Sequence, residues 1–375
     1  MSTLAVKHEA INLSQGFPDF EGPSELIEWA CEALRSGNNQ YARSMGHPRL
    51  VSAIAEKALR DHGLVYDPYT EVVVTSGGTE AIASTILSLI EPGDEVILLE
   101  PFYDSYLPCV AMAGGVPRFT TLRAPRFEVD LDELRSLFTA RTRLLILNTP
   151  HNPTGKVFTR QELELIAKCV EDHDGVVLSD EVYEHLTFGN ARHVPMASVP
   201  GMRERTISIG STGKTFSLTG WKVGWATGPE RLIRAVQSAH QFVTFATATP
   251  LQLAVAKALT TQGEAYFKRF CEEYTERRDY LVAALRDVGF DPVTPDGAYF
   301  VLAGFSRLSS LDDCAFAREL VVKHKVAAIP PSVFYAARPG EGRKLLRFAF
   351  CKKMETLRAA AARLQAMAGR TPGFL

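Results

Sequence analysis

The chain lacks any CxxC pair, and its six cysteines, Cys31, Cys109, Cys169, Cys271, Cys314 and Cys351, are scattered. That spacing suits neither a zinc site nor a disulfide framework, so they read as reduced core or surface residues. No apolar run is long enough to cross a bilayer, and the start, MSTLAVKHEA, is too mixed for a signal peptide. A cytoplasmic globular protein is the expectation. An excess of one charge is missing too: a net charge of −2 and a pI of about 6.5 give no sign of a nucleic-acid or anionic-membrane partner. The GxSxG signature is absent, as are histidine and acid clusters at metal-ligand spacing, so no metal is expected. Internal repeats and low-complexity tracts are also absent. At 375 residues the chain is too long for one ordinary core, and two domains are expected.

What is present is an alternation. Short apolar runs, EVVVTSGG (71–78), DEVILLEP (94–101), RLLILNTP (143–150), GVVLSDE (175–181) and RTISIGS (205–211), end in polar or glycine residues. Amphipathic segments such as TEAIASTILSLI (79–90) and RQELELIAKCVEDH (160–173) lie between them. Strands alternating with helices predict an α/β domain with a mostly parallel sheet, and near-continuous apolar strands suit a sheet covered on both faces. The ends differ. PSELIEWACEALRSG (23–37) reads as a helix with Pro23 near its start and Gly37 at its close. A long charged helical run follows residue 260, and strand-like pieces appear at AYFVLAG (298–304) and LLRFAF (345–350). These predict a large domain over 38–270 and a smaller α+β domain built from 1–37 and 271–375.

In a parallel sheet, ligands sit beyond the carboxyl ends of the strands. The residues at those ends are Ser76, Gly77, Gly78 and Thr79; Tyr103; Asn148 and Asn152; Asp180 and Tyr183; and Ser211, Lys214 and Lys222. SGGTEAI offers a glycine turn opening a helix, where free N–H groups and the helix dipole hold an anion; it also fits a plain strand-to-helix turn. HNPTG (151–155) passes for an ordinary turn. Asp180 ends an apolar strand and needs a cationic or hydrogen-bonding partner to stay ionised, or it is a helix cap or a structural ion pair. SIGSTGKTFSLTGWKVGW (208–225) mixes glycines, hydroxyls and two lysines, as a phosphate pocket or a solvated loop would. One cofactor accounts for all of these groups. Pyridoxal 5′-phosphate needs a phosphate cradle, a Schiff-base lysine, an acid facing its pyridine nitrogen, donors to its phenolic oxygen and an aromatic on its ring.

The motifs INLSQGFPDF (11–20), NQYARSMGHPRL (39–50), TSGGTEAI (75–82), EPFYDSY (100–106), NTPHNPTGK (148–156), SDEVYEH (179–185), SIGSTGKTFSLTGWKVGW and LRFAF (346–350) follow one another in order. On them the sequence resembles a fold type I pyridoxal-phosphate aminotransferase of class I, aspartate aminotransferase-like, from about Met1 to Met367. It is especially similar to the kynurenine/glutamine and methionine aminotransferase group. The resemblance implies that Lys214 carries the cofactor and moves the substrate α-proton, and that Asp180 pairs with the pyridine nitrogen. Asn152 and Tyr183 would donate to the phenolic oxygen and Tyr103 would stack on the ring. Gly78, Thr79, Ser211 and Lys222 would hold the phosphate, with Asn148 as support. Arg347 would fork onto the α-carboxylate, helped by Gly16 and Asn152; a planar guanidinium suits this bidentate contact and a lysine would not. Tyr41 would reach a neighbouring subunit's phosphate, so a homodimer is implied.

Departures narrow the group. Many relatives have arginine where Lys222 stands, while the kynurenine/glutamine group has lysine. His151 replaces an asparagine of several kynurenine-type relatives and is taken as a loop residue. QFVTFATATP (241–250) looks closer to methionine-type enzymes. For Arg43, a surface or interface ion pair is preferred over contact with an acidic side chain of a substrate. The expected reaction moves the amino group of a methionine, glutamine, phenylalanine or kynurenine type of amino acid to a 2-oxo acid. A carbon–sulfur β-lyase using the same lysine is the alternative. An aminotransferase-like transcription regulator would need a helix-turn-helix segment, for which no part of this sequence is free. In this group the segment matching MSTLAVKHEA is preceded by further residues. Residues 1 to about 10 are therefore expected to fray as a helix without a cap, with the gene product starting upstream.

Overall fold

A computed structural model describes residues 1–369. Its strands are β1 (Ile11–Asn12), β2 (Val72–Thr75), β3 (Glu95–Glu100), β4 (Val116–Thr121), β5 (Thr142–Asn148) and β6 (Val176–Asp180). They continue with β7 (Thr206–Ser211), β8 (Gly224–Thr227), β9 (Asp291–Val293), β10 (Phe300–Gly304), β11 (Val326–Ala327) and β12 (Leu345–Ala349). Seven of them form one sheet in the order β2-β8-β7-β6-β5-β3-β4. β3 to β7 are mutually parallel, and β8 runs antiparallel to both β2 and β7.

The apolar runs follow from burial on both sheet faces. Along β3 and β5, Val96, Leu98, Leu144 and Ile146 join one core cluster while Ile97, Leu99, Leu145 and Leu147 join another. Successive side chains point to opposite faces, so a strand covered twice is apolar at every position. Each such side chain contributes roughly 1.5–3 kcal/mol when fully buried. The helices that cover the sheet are set by local signals. The helix Arg160–Glu171 opens on a capping box in which Thr159 Oγ1 accepts from the Glu162 amide and Glu162 answers to the Thr159 amide. The 25-residue helix Glu264–Val288, which packs instead against β9 and β10, ends at Gly289 in the left-handed region.

Two strands of the sheet carry little sequence signal. β4 contains Pro117 and Arg118 and lies at the sheet edge, where a missing N–H is tolerated. β8 (GWAT) begins in the last two residues of the glycine-rich stretch that reads as a phosphate loop.

A second sheet, β12-β10-β9, is antiparallel and places Arg347 opposite Leu302. β1 pairs with β11 in parallel, which lays the segment leading to Gly16 beside it. Expected fraying over residues 1 to 10 is not what the structure has. Ser2–Lys7 is helical, with Ala5 buried against Val321 and Ala327. Arg363 holds the Glu9 carbonyl and the Ile11 amide donates to Lys325. Met1 supplies no side-chain cap, so only the first amides go uncapped. The helix Ser24–Arg35 sets Leu26 in a cluster with Leu50, Ile54 and Val255, that is, against helices flanking the large sheet. Residues 370–375 of the expected second domain lie outside the described residues.

Candidate active site

The carboxyl ends of β3, β5, β6 and β7 open into one cavity of about 480 Å3. Its lining includes Gly16, Gly78, Thr79, Tyr103, Asn148, Asn152, Asp180, Tyr183, Ser211, Lys214, Lys222 and Arg347. Residues from the N-terminal segment, the large sheet and β12 thus meet around a single space. Tyr41 is not among them: it is 82% exposed with its ring edge on Phe245 at 5.1 Å. Arg43 also stays outside, over the Tyr69 ring at 5.2 Å.

At one end the helix Gly78–Leu89 begins beside β8 with no side-chain cap. Gly77, at φ 83°, holds the turn, and a Cβ there would lie 3.1 Å from Lys222 Nζ. Lys222 itself is left-handed at φ 54°. A Cβ on Gly224 would lie 2.6 Å from the Gly77 carbonyl carbon and 2.8 Å from the Gly78 nitrogen. Only glycines let these backbones approach so closely. The result is helix amides, the Ser211 and Thr79 hydroxyls and one ammonium around a common space, a donor set for a phosphate.

In the middle, Asp180 is buried and accepts from Tyr106 Oη at 2.6 Å. Burial pushes its pKa up to about 6, against the pull of Tyr106, the Val182 amide and Lys214. Asn148 braces this end of the sheet, donating to the Asp180 carbonyl at 2.8 Å and accepting from the Asn152 amide at 2.7 Å. Lys214, in the short turn of helix after β7, is lowered to about 8 by burial. Its Nζ donates to Tyr299 Oη at 2.7 Å. Tyr183 is buried at the cavity wall, and burial raises its phenol above the usual range. Tyr103 is half-buried with its hydroxyl 3.5 Å from Thr79 Oγ1.

At the far end Arg347 donates to Asn152 Oδ1 at 2.9 Å and to the Ser14 carbonyl at 3.1 Å, while its buried Nε has no partner. Burial lowers it to about 10, so it is cationic at neutral pH. An unpartnered guanidinium N–H is a vacancy for an acceptor such as a carboxylate. His151 is more than a loop residue in position: it is buried, bonded to Thr154 Oγ1 at 2.7 Å, and lowered to about 3, hence neutral.

Sequence reasoning did not find Tyr106 or Tyr299. Tyr106 lies within the EPFYDSY motif, but a lone tyrosine carries no spacing signal, and its burial against Asp180 is a tertiary fact. The apolar wall of Phe300, Ile329, Val333 and Phe334 was equally invisible.

An anion cradle, a buried lysine with lowered basicity, a buried acid and a guanidinium on one cavity define a pyridoxal-phosphate enzyme for amino acids, and the donor set fits that cofactor. The sequence profile of the family Aminotransferase class I and II matches residues 8–364, and the chain belongs to this family. It is a pyridoxal-phosphate-dependent aminotransferase with the aspartate aminotransferase-like fold type I. The chain is 46% identical to a probable N-succinyldiaminopimelate aminotransferase of Mycobacterium tuberculosis, over 99% of this chain and 95% of that one. It is 41% identical to the kynurenine–oxoglutarate transaminase of Dictyostelium discoideum, over 96% and 91%. A crystal structure of an Escherichia coli protein with methionine aminotransferase function superposes with a TM-score of 0.94 at 42% identity, covering 97% and 96% of the two chains.

Proposed function

We propose that the amino donor is an uncharged aromatic, sulfur-containing or amide amino acid, of the methionine, glutamine, phenylalanine or kynurenine type, and that a 2-oxo acid accepts the amino group. The observation that carries this is the composition of the cavity. Its side-chain cations among the described residues are Lys214, Lys222 and Arg347, each with a use, and beside Arg347 the wall is Phe300, Ile329, Val333 and Phe334. Asp104 at the rim repels a second carboxylate. Relatives acting on kynurenine and methionine support the same class.

Pyridoxal phosphate supplies an aldehyde that condenses with amino groups and a ring that takes up the electron pair left when the α-proton is removed. The chain does the rest. Lys222, Ser211, Thr79 and the Gly78 amide would hold the phosphate. Asp180, kept oriented by Tyr106, would pair with the ring nitrogen and hold its proton. Asn152 spends its Oδ1 on Arg347, which leaves its Nδ2 to donate, with Tyr183, to the phenolic oxygen. Tyr103 would cover the ring face. Arg347 and Gly16 would fix the donor's α-carboxylate, so that its α-proton faces Lys214 Nζ, the base that would take it and hold it for return.

The reading extends to a homodimer in which Tyr41 serves the neighbouring subunit, supported by the exposure of Tyr41, Phe242 and Phe245 together. It also includes a division into 38–270 and 1–37 with 271–375, in which the helix Ser24–Arg35 rests on the larger part. A cytoplasmic place is supported by six free cysteines. Initial-rate kcat/KM values across a donor panel with one fixed 2-oxo acid test the substrate class. Methionine, glutamine, phenylalanine and kynurenine should each exceed aspartate; aspartate faster than all four would overturn it. Release of pyruvate and a thiol from cystathionine, faster than transamination, would instead mark a lyase.

A further inference from the structure

Tyr299 sits just before β10 with its hydroxyl between two groups of the site. It is buried, its ring stacked on Tyr274 at 6.2 Å between centroids and edge-on to Tyr183 at 5.0 Å. Its Oη lies 2.6 Å from the Gly16 carbonyl and 2.7 Å from Lys214 Nζ. The polarity of this chain is forced. A carbonyl only accepts, so the single phenolic proton goes to Gly16, and toward Lys214 the oxygen can only accept. Gly16 can be nothing else here, because a Cβ would lie 2.6 Å from Phe300 Cζ and 3.0 Å from Tyr299 Cε2.

Resting on the assignment of Lys214 above, we propose that Tyr299 is the positioning residue for the Lys214 amine when that amine is free to carry a proton. A neutral amine has two N–H bonds and one lone pair. One N–H is committed to Tyr299 Oη, and the Gly16 carbonyl lies near a second at 3.4 Å. The lone pair is therefore left on the side away from both oxygens, where it takes the α-proton of the amino donor. The N–H so formed later gives a proton back, and Tyr299 neither gains nor loses one. The same hydroxyl ties the lysine to the segment carrying Gly16 and Ser14, the latter bonded to Arg347. Carboxylate binding and amine orientation thus share one backbone.

Tyr299→Phe removes the oxygen and keeps the ring packing. It should lower kcat about tenfold, the value of one hydrogen bond, with KM for the donor little changed. The isotope effect on kcat with an α-deuterated donor should rise. In a Lys214→Ala enzyme without added amine, Tyr299→Phe should leave the affinity for the amino donor, read by absorbance titration of the cofactor, unchanged, because the amine it orients is gone. A roughly tenfold loss of donor affinity in that background would show that Tyr299 acts elsewhere and overturns the proposal, as would a wild-type kcat in Tyr299→Phe. Should Tyr299→Phe fold poorly, a fluorinated tyrosine at 299, a weaker acceptor with the same shape, should give an intermediate kcat, and a wild-type value again overturns it. Full activity of Lys214→Ala without amine is a different failure, that of the Lys214 assignment itself.

Discussion

Asp180 shows how far a single side chain departs from its ordinary chemistry when the sheet buries it. Its folded pKa of about 6 lies above the ordinary 3.8, so the folded chain holds this proton more tightly than the unfolded chain does. Without cofactor, the stability tied to Asp180 is present below about pH 4 and lost as pH rises toward and past 6, a loss of roughly 3 kcal/mol. Asp180→Asn mimics the protonated form. In the cofactor-free enzyme it should therefore unfold at a higher temperature than wild type at pH 7.5, with a clearly smaller gap near pH 4.5. Calorimetry at the two pH values checks this, and a lower unfolding temperature for the variant at pH 7.5 contradicts it. With cofactor the order should reverse at pH 7.5, because the ring nitrogen then stabilises the ionised carboxylate. Residues that terminate strands, such as Asp180 and Ser211, were legible as cavity residues because chain direction and sheet type place strand ends together. Tyr106 and Tyr299 were not, because what makes each matter is one hydrogen bond to a residue distant in sequence.

Elements divide the same way. β3, β5 and β6 announce themselves by unbroken apolar runs, the mark of strands covered twice. β8 does not, although it decides the phosphate end of the cavity: its Gly224 packs directly on the backbone of Gly77 and Gly78. In Gly224→Ala the new methyl meets backbone, which cannot swing aside as a side chain can, so β8 and the turn must separate. Cofactor affinity should fall at least about tenfold, equivalent to ~1.4 kcal/mol. Fluorescence titration of the cofactor-free enzyme measures it, and unchanged affinity would show that the turn is not the cradle. Burial of the N-terminal helix was misjudged because its anchor is small. Ala5 gives no periodic signal, yet it seats the segment against Val321 and Ala327.

At the scale of the whole molecule, length alone suggested two parts, and composition could not say on which of them an amphipathic helix such as Ser24–Arg35 rests; any apolar surface suits such a face. The exposed aromatics speak to assembly. Phe242 is 86% exposed, three residues before Phe245, whose ring meets the exposed Tyr41, and such a group of exposed aromatics suits an interface. Light scattering should give twice the chain mass, and Phe242→Asp should shift it toward the monomer with weaker cofactor retention; a fully active wild-type monomer would exclude a shared site. The central claim, that this cavity performs aminotransferase chemistry through Lys214, has a more direct test. Borohydride reduction of the holoenzyme followed by peptide mass mapping should place the pyridoxyl group on the peptide carrying Lys214, and Lys214→Ala should bind the cofactor without becoming labelled. A pyridoxyl group on any other lysine, or none on the wild-type chain, would contradict the account.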